Sequence, residues 1–202
     1  MKERYRELYS SRQINQRIGQ LASEITANYN GDEAAYGENP LFIALLRGAA
    51  PFASKLMFEI DRQAPDFHPE MDYMMTTREA ERFSPHAETE IIMDLAPDTE
   101  VKNRNVIIVD NVLDMGETAV SVRNHVLEMG ARYVELAALV EKDIERSAQI
   151  EADYLGFTAP NQWLVGMGMD DSAIAKESYR WSNGIWVVDQ GVDLPQHALI
   201  SR

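Results

Sequence analysis

Runs of apolar residues mark three predicted strands along the chain. The runs lie at residues 41–46, 106–109 and 133–140. Runs with few alternating polar positions are typical of parallel strands that are buried on both faces of a sheet. Apolar residues at helical spacing follow the first two runs, as the crossover helices of a parallel sheet require. The pattern predicts an α/β fold with a central, mainly parallel sheet flanked by helices.

Residues typical of helix ends, together with apolar residues at helical spacing, predict where the helices lie. Pro51 suits the first turn of the helix after residues 41–46, and the apolar positions 52, 56 and 60 then share one face. Asp114 and Glu117 predict a capping box at the start of the next helix, and Gly130 predicts its end. Spaced apolar residues over positions 1–30 predict one or two further amphipathic helices.

Residues 72–97 predict a β-hairpin arm. Two strand-like stretches, at 72–77 and 91–95, flank a polar, charged segment between them. Long exposed arms of this kind often act as lids over a binding site. A surface hairpin without any catalytic part is the alternative interpretation.

Composition restricts the classes of function. The chain has 202 residues, enough for one sizeable domain, and 33 acidic against 19 basic residues give a formal net charge of −14. That charge disfavours nucleic-acid and anionic-membrane partners. The chain contains no cysteine, so disulfides and thiol nucleophiles are excluded. A signal-peptide core and a membrane-spanning apolar run are also missing from the sequence, and we therefore expect a cytoplasmic enzyme.

The acidic turn after residues 106–109 carries the first candidate chemistry. A helix that begins just past a strand offers backbone N–H groups and a positive dipole end to a phosphate. The carboxylates of Asp110 and Asp114 add a candidate magnesium or ribose site. The simpler alternative is an ordinary connection in which Asp114 only caps the helix.

In a second strand–turn–helix unit, Arg47 and Gly48 directly follow the strand at residues 41–46. A guanidinium beside small residues allows backbone amides and the cation to approach a diphosphate closely. Taken alone, the same arginine is better explained as a solvated surface residue. The two units together place cationic and acidic turns at the carboxyl ends of parallel strands, where ligands bind in such sheets.

The stretch VIIVDNVLDMGET at residues 106–118 resembles the phosphoribosyl-diphosphate (PRPP) signature of the type I phosphoribosyltransferases. The similarity extends over about residues 40–190, and within that family it is to the hypoxanthine-guanine, or 6-oxopurine, branch. It implies the type I phosphoribosyltransferase fold as a single domain over residues 1–202. Within that domain it implies a core at about 35–150, a flexible arm at about 72–97 and a small hood at about 151–190 that recognises the base.

The resemblance implies a purine-salvage transferase that joins hypoxanthine or guanine to PRPP, with Mg²⁺ as cofactor and pyrophosphate as the second product. Asp114 matches the general base near the purine N7, while Asp110 and Asp170 match positions that hold magnesium. Lys142 matches the lysine that reads the 6-oxo group, and Trp163 matches the aromatic residue that stacks on the base. The implied substrate-binding residues are Arg47, Gly48, Asp110, Asn111, Met115, Gly116, Glu117, Thr118, Lys142, Trp163, Leu164 and Asp170.

Several residues depart from the pattern of the resembled family. Arg47 replaces a lysine, Asn111 replaces the second acid of a pair, and Met115 replaces a phosphate-binding threonine. Glu117 stands where that family has small or basic residues, and at 4 to 5 Å from a phosphate its repulsion would be on the order of several kcal/mol. The alternative is therefore a degenerate phosphoribosyltransferase-fold protein that binds a nucleotide or a protein partner.

Five points stay open at this stage. Asp171 lies beside Asp170, so the choice between these two aspartates is open, and either Lys176 or Arg180 matches a late cation that contacts pyrophosphate. The preference among hypoxanthine, guanine and xanthine is undetermined, and a type I enzyme that uses another base is a further alternative. The resemblance suggests a homo-oligomer, either a dimer or a tetramer, whose interface the sequence does not identify.

Overall fold

The computed structural model describes residues 4–29, 39–78, 89–146, 148–171, 174–175 and 177–188. Its strands are β1 (Tyr5–Tyr9), β2 (Leu41–Leu46), β3 (Glu70–Arg78), β4 (Thr89–Met93), β5 (Asn105–Leu113), β6 (Tyr133–Lys142), β7 (Tyr154–Ala159), β8 (Leu164–Val165) and β9 (Ile185–Val188). Its helices are α1 (Ser11–Tyr29), α2 (Ala50–Gln63) and α3 (Glu117–Glu128).

Six of the described strands form the main sheet, in the order β4-β3-β2-β5-β6-β7. All neighbouring pairs are parallel except β3 and β4. The chain moves outward in opposite directions from the centre, from β2 to β3 and from β5 to β6. Because such crossovers are right-handed, α2 and α3 lie on opposite faces of the sheet. The predicted mainly parallel α/β fold is confirmed, and β2 and β5 form its topological switch point.

A second sheet joins distant parts of the chain, in the order β1-β9-β8. The helical prediction for residues 1–30 is wrong at residues 5–9, which form strand β1 and pair with β9. Asp171 anchors this strand, since its carboxylate accepts a hydrogen bond from the Tyr5 hydroxyl at 2.7 Å and pairs with Arg4 at 3.2 Å. Local periodicity misses such a strand because its partners lie far away in the sequence.

The strand β7 lies in the main sheet, parallel to β6. Of the residues 151–190 that were expected to form a hood, 154–159 lie in the main sheet, while β8 and β9 form the small sheet with β1. The small sheet, β1-β9-β8, is called the hood sheet below. The division of a single domain into core, arm and hood stays a prediction.

The predicted arm and the predicted helix ends have mixed outcomes. The strands β3 and β4 pair in an antiparallel manner, as expected, while residues 79–88 between them lie outside the described part of the chain. Gly130 ends α3 with a φ of 94°, as predicted. The capping box is wrong: α3 begins at Glu117 after Gly116, without a side-chain cap, and the carboxylate of Asp114 binds Lys142 instead.

The central strands form the core of the main sheet. Residues 41–44 of β2 and 106–109 of β5 are at most 1% exposed, and α2 adds a buried face of Phe52, Ala53, Leu56 and Ile60. Within the described residues, no helix has both the length and the apolar character that a membrane crossing requires.

One carboxylate lies inside this core. Glu135 in β6 is 5% exposed, and the hydroxyls of Tyr29 and Tyr154 both donate hydrogen bonds to it. The amide of Asn28 in turn donates to the Tyr154 hydroxyl oxygen at 2.9 Å. Burial raises the pKa of Glu135 above its ordinary value, with the charge of Asp153 adding to the effect, although the tyrosine hydrogen bonds oppose it.

We expect Glu135 to make the protein less stable as pH rises above the ordinary glutamate pKa of 4.5. Because the folded-state pKa is the higher one, the native chain holds a proton that the unfolded chain has lost, and the free energy of unfolding falls across that window. Glu135→Gln carries no charge at any pH. The stability of the wild type relative to this variant should therefore decline as pH rises from 4.5 through the folded-state pKa.

Urea unfolding at a series of pH values measures this difference. Glu24→Gln, an exposed change on α1, is the control. The difference in free energy of unfolding between this variant and the wild type should vary less with pH. If the difference in free energy of unfolding between the wild type and Glu135→Gln stays constant over this pH range, the pKa of Glu135 is not raised in the folded state.

Candidate active site

Two adjacent cavities open where the central strands end. The first, the Trp163 cavity, has a volume of about 240 Å³. Its lining residues are Gly48, Asn111, Val112, Asp114, Lys142, Trp163, Leu164, Gly168, Met169, Asp170 and Arg180. The second, the loop cavity, measures about 180 Å³ and is formed by Asp110, Val112, Leu113, Asp114, Met115, Gly116, Glu117, Thr118 and Ala119. The side chain of Asp114 borders both cavities.

Lys142 and Asp114 form an ion pair at the floor of the Trp163 cavity. The Lys142 ammonium donates a hydrogen bond to Oδ2 of Asp114 at 2.7 Å. The pair forms because β5 and β6 are in register up to Leu113 opposite Glu141, and each of the two residues comes directly after that position. Lys142 is 13% exposed and Asp114 is 47% exposed, so the carboxylate faces the open side of the cavity.

Arg146 holds this pair from behind, a role that the sequence did not reveal. Its Nε donates to the backbone oxygen of Asp114 at 2.8 Å, and its Nη2 donates to the backbone oxygen of Lys142 at 2.7 Å. Its Nη1 pairs with Glu141 at 2.7 Å. The planar guanidinium therefore fixes two turns at once, which the point charge of a lysine would do less well. An arginine four residues after Lys142 was the available signal in the sequence.

The opposite wall of the Trp163 cavity comes from residues in and next to β8. Trp163 donates its indole N–H to the backbone oxygen of Asp170 at 3.1 Å, which fixes the ring beside the cavity. Leu164, the next residue, is buried at the start of β8. Between Asp170 and Asp171 the structure makes a clear distinction, because Asp170 lines the cavity while Asp171 is 1% exposed and bound to Tyr5 and Arg4.

Two glycines allow loops of the core and of the hood to touch. A Cβ atom on Gly168 would lie 1.7 Å from the backbone oxygen of Gly48, and one on Gly48 would lie 2.5 Å from Oδ1 of Asn111. Gly168 also has a φ of 95°, which favours glycine. Asn111, 5% exposed, packs against Gly48 at this junction. A side chain on Gly168 would push its loop away from Gly48, and a side chain on Gly48 would clash with Asn111 in β5.

Asp170 and Arg180 line the Trp163 cavity and form a charged cluster with Glu177 and Arg47. Arg180 pairs through Nη2 with Asp170 at 3.0 Å, and its other nitrogens donate to the backbone oxygen of Gly168 and to the carboxylate of Glu177. Arg47 pairs with Oε1 of Glu177 at 2.8 Å. Of the two candidate late cations, Arg180 lines the cavity, whereas Lys176 lies outside the described residues.

The loop cavity is built around the start of α3. Gly116 has a φ of 84°, and the first helical bond runs from the Val120 amide to its carbonyl at 3.0 Å. The first amides of a helix have no carbonyl partner within the helix, so this loop can bind an anion. Met115 is 37% exposed, and Thr118 contributes a hydroxyl to the wall. Glu117 also lines this cavity, as the first residue of α3.

Asp110 is the acidic residue at the base of the loop cavity. Desolvation by the surrounding protein raises the pKa of Asp110 to about 7, although hydrogen bonds from the backbone amides of Asn111 and Val112 oppose the shift. A positive ion nearby would favour its charged form. No group of three or more metal-binding side chains occurs in the described part of the chain. Asp110 and Asp170 border different cavities, and such isolated hard oxygen donors suit Mg²⁺ ions that keep waters and substrate oxygens as their other ligands.

The chain is similar to known proteins over most of its length. The phosphoribosyl transferase domain family matches residues 5–172. The hypoxanthine-guanine phosphoribosyltransferase of Streptococcus pneumoniae is 33% identical over 173 residues, which is 86% of this chain and 87% of that protein. The bifunctional protein TilS/HprT of Listeria innocua is 34% identical over 163 residues, or 81% of this chain. The chain spans 23% of the length of that second relative.

Solved structures give the same result. A crystal structure of a hypoxanthine phosphoribosyltransferase from Staphylococcus aureus has a TM-score of 0.77 and 26% identity, covering 91% of each chain. A hypoxanthine-guanine-xanthine phosphoribosyltransferase has a TM-score of 0.76 and 27% identity, covering 94% of this chain and 100% of that chain. With a family match over most of its length and the same fold in these structures, the chain belongs to the phosphoribosyl transferase domain family.

Proposed function

We propose that this protein transfers the phosphoribosyl group of PRPP to a 6-oxopurine, hypoxanthine or guanine, and releases pyrophosphate. The observation that carries the proposal is the Lys142–Asp114 pair, 2.7 Å apart at the floor of a cavity walled by Trp163. On a 6-oxopurine the O6 acceptor and the N7–H donor lie side by side on one edge of the ring. A lysine donor beside a carboxylate acceptor matches that edge.

The same pair explains why an adenine would be a poor substrate. Its 6-amino group presents hydrogens to the Lys142 ammonium, which has only donors to offer. The ring of Trp163 supplies a flat face on which the purine stacks. Leu164 offers its backbone to the far edge of the base, so we expect less discrimination at the purine 2-position than at the 6-position.

Bond formation at the sugar leaves one proton to be removed. As N9 of the purine attacks C1′ of PRPP, the bond from C1′ to the pyrophosphate oxygen breaks and the configuration inverts. The carboxylate of Asp114 accepts the N7 proton in this step, as a general base within hydrogen-bond reach of the ring. Asp110 and Asn111 bind the ribose hydroxyls, and the hood wall keeps water from the reacting carbon.

The phosphate groups are bound by backbone amides and arginines. The amides of residues 115–118 and the Thr118 hydroxyl bind the 5′-phosphate at the start of α3. Arg47, the Gly48 loop and Arg180 bind the pyrophosphate. Asp110 and Asp170 would hold Mg²⁺, which supplies positive charge to the diphosphate. Arg146 is a positioning residue, since it acts through Asp114 and Lys142.

A second function is favoured by one specific observation. Glu117 lies in the wall of the loop cavity, where a phosphate would bind, and Met115 offers no hydroxyl there. A protein that has lost turnover and binds a nucleotide weakly would tolerate such residues. The two functions differ in whether a 6-oxopurine is consumed when PRPP and Mg²⁺ are present.

The direct test is a Mg²⁺-dependent assay with PRPP and hypoxanthine, guanine, xanthine or adenine. We expect turnover of hypoxanthine or guanine, and Asp114→Asn should lower kcat by about 10²-fold or more because the general base is lost. Asp143→Asn, one residue beyond Lys142 and exposed, is the matched control and should keep its activity. Folded protein without turnover of any base, or an Asp114→Asn variant as active as the wild type, would sink the proposal.

A second variant measures the effect of the carboxylate in the loop cavity. Glu117→Gln removes a negative charge at roughly 5 Å from the expected 5′-phosphate, and even a strongly screened repulsion at that range corresponds to about a tenfold change in affinity. We therefore expect the KM for PRPP to fall about tenfold while the KM for the purine stays the same. Glu128→Gln, at the far end of α3, is the control. An unchanged KM for PRPP would show that Glu117 does not oppose the phosphate.

A further inference from the structure

We propose that Glu177 weakens pyrophosphate binding by occupying both arginines that would otherwise bind it. The proposal rests on the proposed function, since that function assigns pyrophosphate to this edge of the Trp163 cavity. It gives Glu177 a role in setting affinity for the diphosphate of PRPP and for the released product.

The carboxylate of Glu177 bridges two cations from distant parts of the chain. Oε1 pairs with Nη1 of Arg47, just after β2, at 2.8 Å. Oε2 accepts a hydrogen bond from Nε of Arg180, shortly before β9. Guanidinium groups bind carboxylates and phosphates through the same planar geometry. Glu177 therefore takes the contacts that a phosphate group placed between the two arginines would make.

Local charge leads to the same conclusion. Asp170 pairs with Nη2 of Arg180 at 3.0 Å, so the two arginines face two carboxylates. The two positive and two negative charges cancel, so the cluster attracts a polyanion only weakly until one of the carboxylates moves away from its arginine. Arg180 is 10% exposed and also bonded to the backbone oxygen of Gly168, whereas Arg47 is 53% exposed. The Arg47–Glu177 contact is therefore the one that an incoming pyrophosphate most readily displaces.

The backbone around Glu177 is fixed to the cavity wall. The Asp171 amide donates to the backbone oxygen of Ser178 at 3.0 Å, and the Gly168 amide donates to that of Arg180 at 2.8 Å. Each of these bonds joins a residue before Glu177 to a residue after it, and neither involves the Glu177 side chain. A change of that side chain should therefore alter the charge of the site without releasing the turn.

The effect of Glu177 should appear in product binding. Partly exposed ion pairs contribute modestly to free energy, so we expect the competition to weaken pyrophosphate binding about three- to tenfold. An enzyme with this carboxylate would release pyrophosphate faster and suffer less product inhibition. Removing it should strengthen binding of inorganic pyrophosphate, which is a gain that general damage to the fold would not produce.

Calorimetric titration of inorganic pyrophosphate, with and without Mg²⁺, tests the proposal without requiring turnover. Glu177→Gln should lower the Kd about three- to tenfold, and Arg47→Ala should raise it. Glu177→Asp keeps the charge but is shorter by one methylene, so its Kd should lie between those of the wild type and Glu177→Gln. Glu24→Gln is the control, because it removes another exposed arginine–glutamate pair, the 2.6 Å contact with Arg17, on α1.

The outcomes separate this proposal from the proposed function. A Kd for Glu177→Gln that equals or exceeds the wild-type value, in protein of unchanged melting temperature, overturns the competition while leaving the transferase intact. If the wild type and both Glu177 variants fail to bind pyrophosphate, the assignment of this edge to pyrophosphate fails, and the competition with it. A lower Kd in Glu177→Gln and not in Glu24→Gln supports it.

Discussion

The contact between Lys142 and Asp114 is the interaction on which the candidate site depends. It exists because two neighbouring parallel strands, β5 and β6, end in register and present adjacent side chains at one edge. A shift of one residue in either strand would turn a side chain to the opposite face of the sheet. Arg146 donates hydrogen bonds to the backbone oxygens of both residues and so fixes the two turns that carry the pair.

Charge is the second constraint on this protein. Under the proposed function, a chain with a formal net charge of −14 would bind a polyanion through helix N–H groups, Arg47 and Arg180. Two glutamates act against those groups. Glu117 lies in the wall of the loop cavity, and Glu177 pairs with both arginines. Both residues reduce the local positive charge, so the account favours modest affinity for PRPP and ready release of pyrophosphate.

Prediction from sequence succeeded where a structure is built from neighbouring residues. The strand β2, the helix α2 and the glycine end of α3 follow from apolar runs, from a proline at a helix start and from a glycine at a helix end. It failed where the partner lies far away along the chain. Strand β1 pairs with β9, and β7 joins the main sheet instead of the hood. The capping box was wrong because Asp114 has a stronger partner in Lys142.

The candidate site shows the same division. The residues expected to read the base lie together around the Trp163 cavity, since strand ends converge at one edge of a parallel sheet. Arg146 and Glu177 were not found from the sequence, because their significance arises from contacts with backbone oxygens and with an arginine far away in sequence. Single residues in loops carry no periodicity that would reveal such contacts.

A crystal structure of the protein with inosine 5′-monophosphate, the product expected from hypoxanthine, tests the central claim most directly. The account predicts that O6 lies about 2.7–3.2 Å from the Lys142 ammonium, that N7 faces Asp114 and that the ring stacks on Trp163. The 5′-phosphate should lie against the amides of residues 115–118. A nucleotide whose base points away from Lys142 and Asp114, or whose phosphate lies outside the loop cavity, would contradict the account.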